Sequence, residues 1–182
     1  CALPILSFTG FSQVQCPPNI DFEQNSFSGW IGRTGSRGNS QLPNPTLPSV
    51  GIVAGRQTLT TSGIDPYGLF PVVSPLGGLH SMQIGNDRTN DSTESIEYHF
   101  TVPSVPNFYL TYLYAIVLNA PCGSHIGTQT PFHFIEVRDS ITNKIIQCDS
   151  LSFSPCNGST LNTGFGDLKS TRLNSSHGYI SY

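Results

Sequence analysis

A run of nine residues, Glu94–Val102, alternates between polar and apolar side chains and constrains the fold more than any other segment. Its apolar members share one parity: Ile96, Tyr98, Phe100 and Val102. A period of two places such residues on one face of a β-strand and their polar neighbours on the other. We therefore predict a half-buried strand in this part of the chain.

Further strand signals recur with turn residues between them, at 56–61, 81–84, 108–118, 132–138 and 144–148. The run 108–118 is continuously apolar and aromatic, which predicts a central strand buried on both faces. The stretch from Gly32 to Ser49 is rich in Gly and Pro and predicts a long loop. No segment has a helical period. The sequence thus predicts an all-β fold, an antiparallel β-sandwich of the jelly-roll or carbohydrate-binding-module type.

Charge and hydropathy narrow the classes of partner. Charged residues make up 10 % of the chain, against roughly 25 % in an ordinary globular protein. The net charge of −3 and the scattered basic residues argue against a nucleic-acid partner. No apolar run approaches the ~20 residues of a membrane-spanning helix. We expect neither nucleic-acid binding nor membrane insertion.

The five cysteines contain no Cys-x-x-Cys pair, which argues against a structural zinc site. In an oxidising compartment we expect one or two disulfides. Cys148 and Cys156 bracket a short segment and are the favoured local pair, subject to geometry.

Both ends of the chain differ from its middle. Residues 169–182 resemble a translated sequencing-adapter tail, and Cys1–Ile5 resembles the end of the matching contaminant; the alternative is that both termini are native. Leu6–Gln13 is typical of the end of a secretory signal. We expect residues 1–15 to be contaminant-like residues plus a signal remnant, 16–168 the domain, and 169–182 a foreign tail. The expected location is secreted or on a bacterial cell surface.

The segment Cys16–Trp30 predicts a loop, a short strand and a turn that ends on the only Trp. In the strand, Ile20 and Phe22 alternate with Asp21 and Glu23. Secreted carbohydrate-binding β-sandwiches often begin in this way. Asp21 and Glu23 are candidate ligands of a structural Ca²⁺, which needs six to eight oxygen ligands from several segments. The alternative is a solvated acidic strand.

Asp65–Gly68 reads first as a turn, because Asp opens it, Pro presets φ and Gly closes it. The functional interpretation places Asp65 and Tyr67 on the rim of a sugar-binding surface, with Trp30 as a further contact. An aromatic face and a hydrogen-bond acceptor are what such a rim requires.

Four short motifs occur in an order that resembles one family. They are Cys16–Glu23, Asp65–Gly68, Phe70–Val73 and Ile84–Asp87. The chain from 14 to 153 resembles the N-terminal jelly-roll domain of large secreted proteins of gliding Bacteroidetes-type bacteria, described as PKD-domain-containing or gliding-motility-associated C-terminal-domain proteins. The resemblance implies a module of a surface adhesin exported by the type IX system. It also implies that this chain lacks the last strands, because the family's jelly roll continues beyond Leu168.

Three functions remain open. The favoured one is a non-catalytic extracellular adhesion module that binds extracellular polysaccharide or cell-surface glycans. The second is a structural spacer that binds nothing. The third is a glycoside-active hydrolase, which would need two carboxylates to converge in one cleft; the candidates are Glu94, Glu97, Glu136 and Asp139.

Overall fold

The computed structural model describes residues 16–36, 47–88, 92–104, 108–119, 131–152, 160–173 and 177–181, with side chains described only as far as residue 146 and not at residue 119. Ten strands lie in these ranges: β1 (Trp30–Ser36), β2 (Ser49–Val50), β3 (Gln57–Thr60), β4 (Ser81–Ile84), β5 (Ser92–Thr101), β6 (Phe108–Asn119), β7 (Phe132–Asp139), β8 (Ile145–Ser152), β9 (Thr160–Leu173) and β10 (His177–Ser181). The described ranges contain no helix. Accordingly, none of them holds a helix that could span a membrane.

The strands form three antiparallel sheets. The largest has six strands in the order β2-β1-β5-β10-β7-β8, and the pairs β3-β4 and β6-β9 form two smaller sheets. All seven pairs of neighbouring strands in the described ranges are antiparallel. The all-β prediction is therefore confirmed, while the β-sandwich arrangement and the jelly-roll connectivity stay predictions.

The core is centred on β5, as the alternation of its sequence predicts. Ile96, Tyr98 and Phe100 are at most 9 % exposed, whereas His99 between them is exposed. Ile135 and Val137 of β7 are 2 % and 1 % exposed and belong to the same apolar cluster. Partly buried apolar residues of β3 and β4 pack against this cluster: Leu59, Met82 and Ile84. Removal of this area from water is the main stabilising contribution available to such a fold.

Gln57 fixes β3 against the six-stranded sheet. Its side chain is 2 % exposed, and Nε2 donates to the carbonyl oxygens of Arg33 on β1, at 3.0 Å, and Ser95 on β5, at 3.2 Å. Its Oε1 accepts the N–H of Val53 at 3.0 Å. A buried amide is tolerated because its donors and acceptor are satisfied. These bonds fix the start of β3 against the six-stranded sheet.

The predicted loop from Gly32 to Ser49 is wrong over its first residues, because β1 extends to Ser36 and pairs with β5. Gly32 is needed in this strand for close packing, not for a turn. A Cβ there would lie 2.9 Å from the carbonyl oxygen of Gly51, whose own N–H donates to the Gly32 oxygen at 2.8 Å. Residues 37–46 of the predicted loop lie outside the described residues.

The short strand predicted at Ile20–Glu23 is also wrong. This segment is a series of turns, in which Asn19, Phe22 and Asn25 adopt positive φ of 57°, 63° and 48°. The N–H of Phe22 bonds to the Asn19 oxygen, and the N–H of Asn25 bonds to the Phe22 oxygen. Asn tolerates the left-handed region because its side chain forms local hydrogen bonds, and those of Asn19 outweigh the weak strand alternation.

The prediction that 108–118 forms a central strand buried on both faces is wrong in its burial. Within the described strands β6 pairs only with β9. Leu110 and Tyr112 are buried, whereas Tyr109 between them is 57 % exposed. An edge strand with one solvated face accounts for this alternation, because residues such as Tyr109 on its outer face stay exposed.

Residues assigned to the foreign tail form strands in this structure. The segment 169–173 ends β9, and β10 pairs with β5 on one side and β7 on the other. The origin of this segment stays a prediction.

Candidate functional site

The connection between β3 and β4, residues 61–80, exposes an unusual amount of apolar surface. Five large side chains in it are between 57 % and 77 % exposed: Ile64, Tyr67, Leu69, Leu76 and Leu79. Single exposed apolar residues are ordinary, but a concentration of them in one connection marks a candidate interaction surface. We call residues 61–80 the β3–β4 connection.

Asp65 shapes the tip of this connection. Its Oδ1 accepts the N–H groups of Tyr67 at 2.9 Å and Gly68 at 2.6 Å. The backbone closes around the same point, because the N–H of Leu69 bonds to the Asp65 oxygen at 2.9 Å. A side-chain oxygen that accepts nearby backbone N–H groups is a common means of fixing a turn. The turn predicted at Asp65–Gly68 is confirmed.

Tyr67 stands outward from this turn. Its ring is 57 % exposed, and its hydroxyl donates to Oδ2 of Asp87 at 3.3 Å, from beyond the end of β4. The Asp87 charge and hydrogen bond raise the pKa of the Tyr67 hydroxyl, with a smaller contribution from Asp65. One exposed tyrosine therefore has a carboxylate at its hydroxyl, Asp87, and another at its backbone N–H, Asp65. This arrangement favours hydrogen-bond donors in a ligand and disfavours anions.

The far end of the connection is held by Glu23. Its carboxylate accepts the N–H of Leu79, at 2.9 and 3.0 Å, and the N–H of His80, at 3.1 Å. Nδ1 of His80 lies 3.7 Å from the Oε2 atom. Hydrogen bonds to an ionised acceptor are stronger than neutral ones. Glu23 thus links the turns before β1 to the end of the β3–β4 connection.

Hydrogen bonds from the end of β3 and the start of β4 hold the base of the connection. The hydroxyl of Thr60, at the end of β3, lies within hydrogen-bond distance of the carbonyl oxygens of Val72 and Ser81 at 3.2 Å. The Ser81 hydroxyl also donates to the Val72 oxygen. The exposed apolar residues are therefore carried on a segment that is tied to the strands at several points.

Trp30, the third residue of the predicted sugar-binding rim, lies elsewhere. It is 6 % exposed, its ring stacks on Phe22 at 4.4 Å and 19°, and it also contacts Tyr98. Its Nε1 donates to the Asn19 oxygen at 2.9 Å. The structure therefore brings Asp65 and Tyr67 together but separates Trp30 from them in the core. Trp30 is therefore not part of the exposed surface of the β3–β4 connection.

The predicted calcium ligands are engaged in backbone contacts. Oδ1 of Asp21 accepts the N–H of Glu23 at 3.2 Å, and Glu23 binds the end of the β3–β4 connection as described. Within the described residues no three His, Cys, Asp or Glu side chains are grouped so that they could hold a metal ion. A calcium site at Asp21 and Glu23 stays a prediction.

The structure describes only one of the cysteine side chains that bear on the disulfide prediction. Cys16 is disulfide-bonded. Cys148 lies on β8 opposite Glu136, with its side chain outside the described ones, and Cys156 lies outside the described residues. A Cys148–Cys156 bond stays a prediction.

The carboxylates considered for hydrolysis each have a local partner. Glu94 bonds to Arg56 at 2.9 Å, and Glu136 bonds to Arg138 at 2.7 Å. Glu97 contacts Arg33 at 3.3 Å and His99 at 2.9 Å. Asp139 accepts the N–H groups of Ile141 and Thr142 in the β7–β8 turn. These contacts are the ordinary means of stabilising carboxylates on strand faces and in turns.

Sequence reasoning missed most of the exposed apolar surface. Leu69, Leu76 and Leu79 lie in a Gly- and Pro-rich stretch without strand periodicity. The signal that could have found them is the occurrence of isolated large apolar residues where no regular element can bury them.

Comparison with known proteins adds no relative: no protein-family model, no curated protein and no solved structure matches this chain.

Proposed function

We propose that this chain is a non-catalytic extracellular binding module, and that the outer part of the β3–β4 connection contacts extracellular polysaccharide or cell-surface glycan. The observation that carries the proposal is the exposed Tyr67 ring, whose hydroxyl donates to Asp87 and whose backbone N–H donates to Asp65. A sugar ring can pack its apolar face on an aromatic side chain while its hydroxyls donate to neighbouring acceptors. The adhesin-type context suggested by the four sequence motifs is part of this proposal.

Anchoring of the connection supports a binding role. An ordered binding segment loses less conformational entropy on association than a loose one. Here Asp65 fixes the tip, Glu23 fixes the far end and Thr60 fixes the base. A spacer domain that binds nothing has no need for exposed Tyr and Leu side chains on a tethered segment. This contrast favours the binding module over the spacer.

The charges indicate the class of glycan. Asp65 and Asp87 both contact Tyr67, and the whole chain has a net charge of −3. Bringing an anionic polysaccharide to this site would place like charges together, which costs free energy at low ionic strength. We therefore expect neutral polysaccharides to bind more tightly than uronic-acid or sulfated ones.

The test is a binding assay of the full chain against matched neutral and anionic polysaccharides, by calorimetry or affinity electrophoresis. Tyr67→Ala should weaken binding to the best neutral polysaccharide about tenfold, since truncation of a central aromatic contact typically costs more than about 1 kcal/mol. Tyr109→Ala is the matched control, because Tyr109 is also 57 % exposed but lies on β6. Absence of binding across the set, or equal loss in both variants, would refute the proposal.

A further inference from the structure

The turn that carries Tyr67 uses all of its backbone hydrogen-bond donors within the chain. The N–H groups of Tyr67 and Gly68 bond to Oδ1 of Asp65. The N–H of Leu69 bonds to the Asp65 carbonyl oxygen, and the N–H of Asp65 itself bonds to a carbonyl oxygen at 2.9 Å. Pro66 has no N–H group. The backbone of this turn therefore offers a ligand acceptors but no donor.

The side chains beside the turn follow the same pattern. The Tyr67 hydroxyl donates its hydrogen bond to Oδ2 of Asp87, which leaves only lone pairs on the hydroxyl oxygen. Asp87 is exposed, and no described residue donates to its Oδ1. The side-chain amide of Asn86 donates to the Gly55 oxygen at 3.0 Å. A ligand that reaches the Tyr67 ring therefore meets acceptors on the side chains as well.

The carboxylates at Tyr67 also lack a cationic partner. The three glutamates of β5 and β7 each contact an arginine. In contrast, no Lys, Arg or His nitrogen of the described residues lies within 4.0 Å of Asp65 or Asp87, the adjacent Arg88 included. Every influence on the pKa of the Tyr67 hydroxyl raises it, with Asp87 first, so no cation offsets these charges.

We propose that the glycan bound at Tyr67 carries protonated amines, as in a polysaccharide of de-N-acetylated amino sugars; the inference rests on the function proposed above. An ammonium group has three donors and no acceptor. It can donate to Asp87 and lie against the face of the Tyr67 ring, which attracts cations. An N-acetyl group would instead bring a carbonyl oxygen for which the turn has no donor.

The exposed ring favours an amino sugar over a basic peptide. A lysine side chain supplies the same ammonium group, but it covers little of an aromatic face. Tyr67 is 57 % exposed, and a sugar ring can pack on that face while its amine reaches the carboxylate. The basic peptide is therefore an alternative for the test to decide.

The experiment is calorimetry of the full chain with oligosaccharides of glucosamine and of N-acetylglucosamine, matched in length and linkage. At about pH 5.5 the amine is protonated and Asp carboxylates remain ionised. The amine-bearing oligosaccharide should bind about fivefold more tightly than its N-acetylated counterpart at low salt, and added salt should reduce the difference.

The preference, measured as the ratio of the two affinities, should fall below about twofold in Asp87→Asn, which keeps an acceptor for the Tyr67 hydroxyl. Asp139→Asn is the matched control. It removes the same charge from the six-stranded sheet and keeps an acceptor for the N–H groups of Ile141 and Thr142, so its ratio should equal that of wild type.

Three results would overturn the inference. Equal affinity for the two oligosaccharides, or a ratio that Asp87→Asn lowers no more than Asp139→Asn, would refute the amine preference and leave the glycan-binding function intact. Tighter binding of an oligolysine of equal length would assign the site to a basic peptide. Binding of no polysaccharide at all would refute the proposed function itself.

Discussion

Replacement of Asn19 by Ala is expected to destabilise the fold severely, although Asn19 belongs to no strand. The side chain joins three parts of the segment before β1. Its Nδ2 donates to the carbonyl oxygens of Ser26 and Ser28, both at 2.9 Å, and its Oδ1 accepts the N–H of Gln24 at 3.1 Å. Its backbone oxygen receives the Trp30 indole N–H. The substitution removes these three side-chain hydrogen bonds, together with a longer one from Nδ2 to the Ser26 hydroxyl at 3.5 Å, and disturbs the support of the buried indole.

The magnitude follows from the number of bonds lost. Each hydrogen bond contributes about 0.5–1.5 kcal/mol net, so Asn19→Ala should cost about 1.5–4.5 kcal/mol. Asn19 is 5 % exposed, which places the expected value in the upper part of that range, because water cannot replace the lost partners. Ala in the left-handed region adds about 1 kcal/mol of strain. Such a loss is a large fraction of the stability of an ordinary domain.

Asn25→Ala separates these contributions. Asn25 also has a positive φ, 48° against 57° for Asn19, but its side chain is exposed and makes no hydrogen bond to the described residues. The assay is urea denaturation followed by the fluorescence of Trp30, the only Trp of the chain. Asn25→Ala should cost about 1 kcal/mol. Equal midpoints for the two variants would refute the argument that the Asn19 side chain holds this segment together.

Two further predictions concern carboxylates. Burial alone would raise the pKa of Glu97, but the hydrogen bonds from His99 and Arg33 hold that pKa below its usual value of 4.5. The pKa of Glu94 is raised, because the effect of burial exceeds that of Arg56. The stabilisation from Glu97 is thus present above about pH 4.5 and is lost as the pH falls through its folded pKa, while the contribution of Glu94 has the opposite sign. Acidification from pH 7 to pH 3.5 should therefore lower the urea midpoint less in Glu97→Gln than in wild type, and more in Glu94→Gln. An equal decrease of the midpoint in all three proteins would contradict these pKa assignments. At Gly78, with φ +92°, a Cβ would lie 2.7 Å from Oε1 of Glu23, whereas at Gly77, with φ +135°, it would meet nothing within 4 Å. Gly78→Ala should consequently destabilise the fold by about 1–2 kcal/mol more than Gly77→Ala. The measurement is thermal unfolding of both variants, and equal melting temperatures would contradict the role given to the contact with Glu23.

The strands with strong alternation could be predicted from sequence because their pattern and their burial have the same cause. In β5 the apolar parity of Ile96, Tyr98 and Phe100 matches the buried parity, and the strand predicted at 81–84 agrees with β4 in both bounds. The turn after β7 could also be predicted, because Asp139 accepts the N–H groups that follow it. Local patterns suffice where the chain folds on its nearest neighbours.

The sequence predictions are wrong where contacts between residues far apart in the chain decide the local conformation. Gly32 signals a loop by composition, yet it lies in β1 because only Gly fits against the backbone at Gly51. Phe22 fits a strand alternation, yet it has a positive φ because Asn19 organises the turns around it. At the candidate site, Asp65 and Tyr67 were correctly placed in one turn, but the contact of Tyr67 with Asp87 depends on how β4 returns beside the connection. Sequence spacing contains no information on such approaches.

The most direct test of the proposed binding surface is hydrogen–deuterium exchange of the full chain with and without the neutral polysaccharide that binds it best. The proposal predicts slower exchange of backbone amides at 64–69 and 86–88, with little change in β7 and β8. Protection confined to other strands, or binding without any protection of the β3–β4 connection, would contradict it.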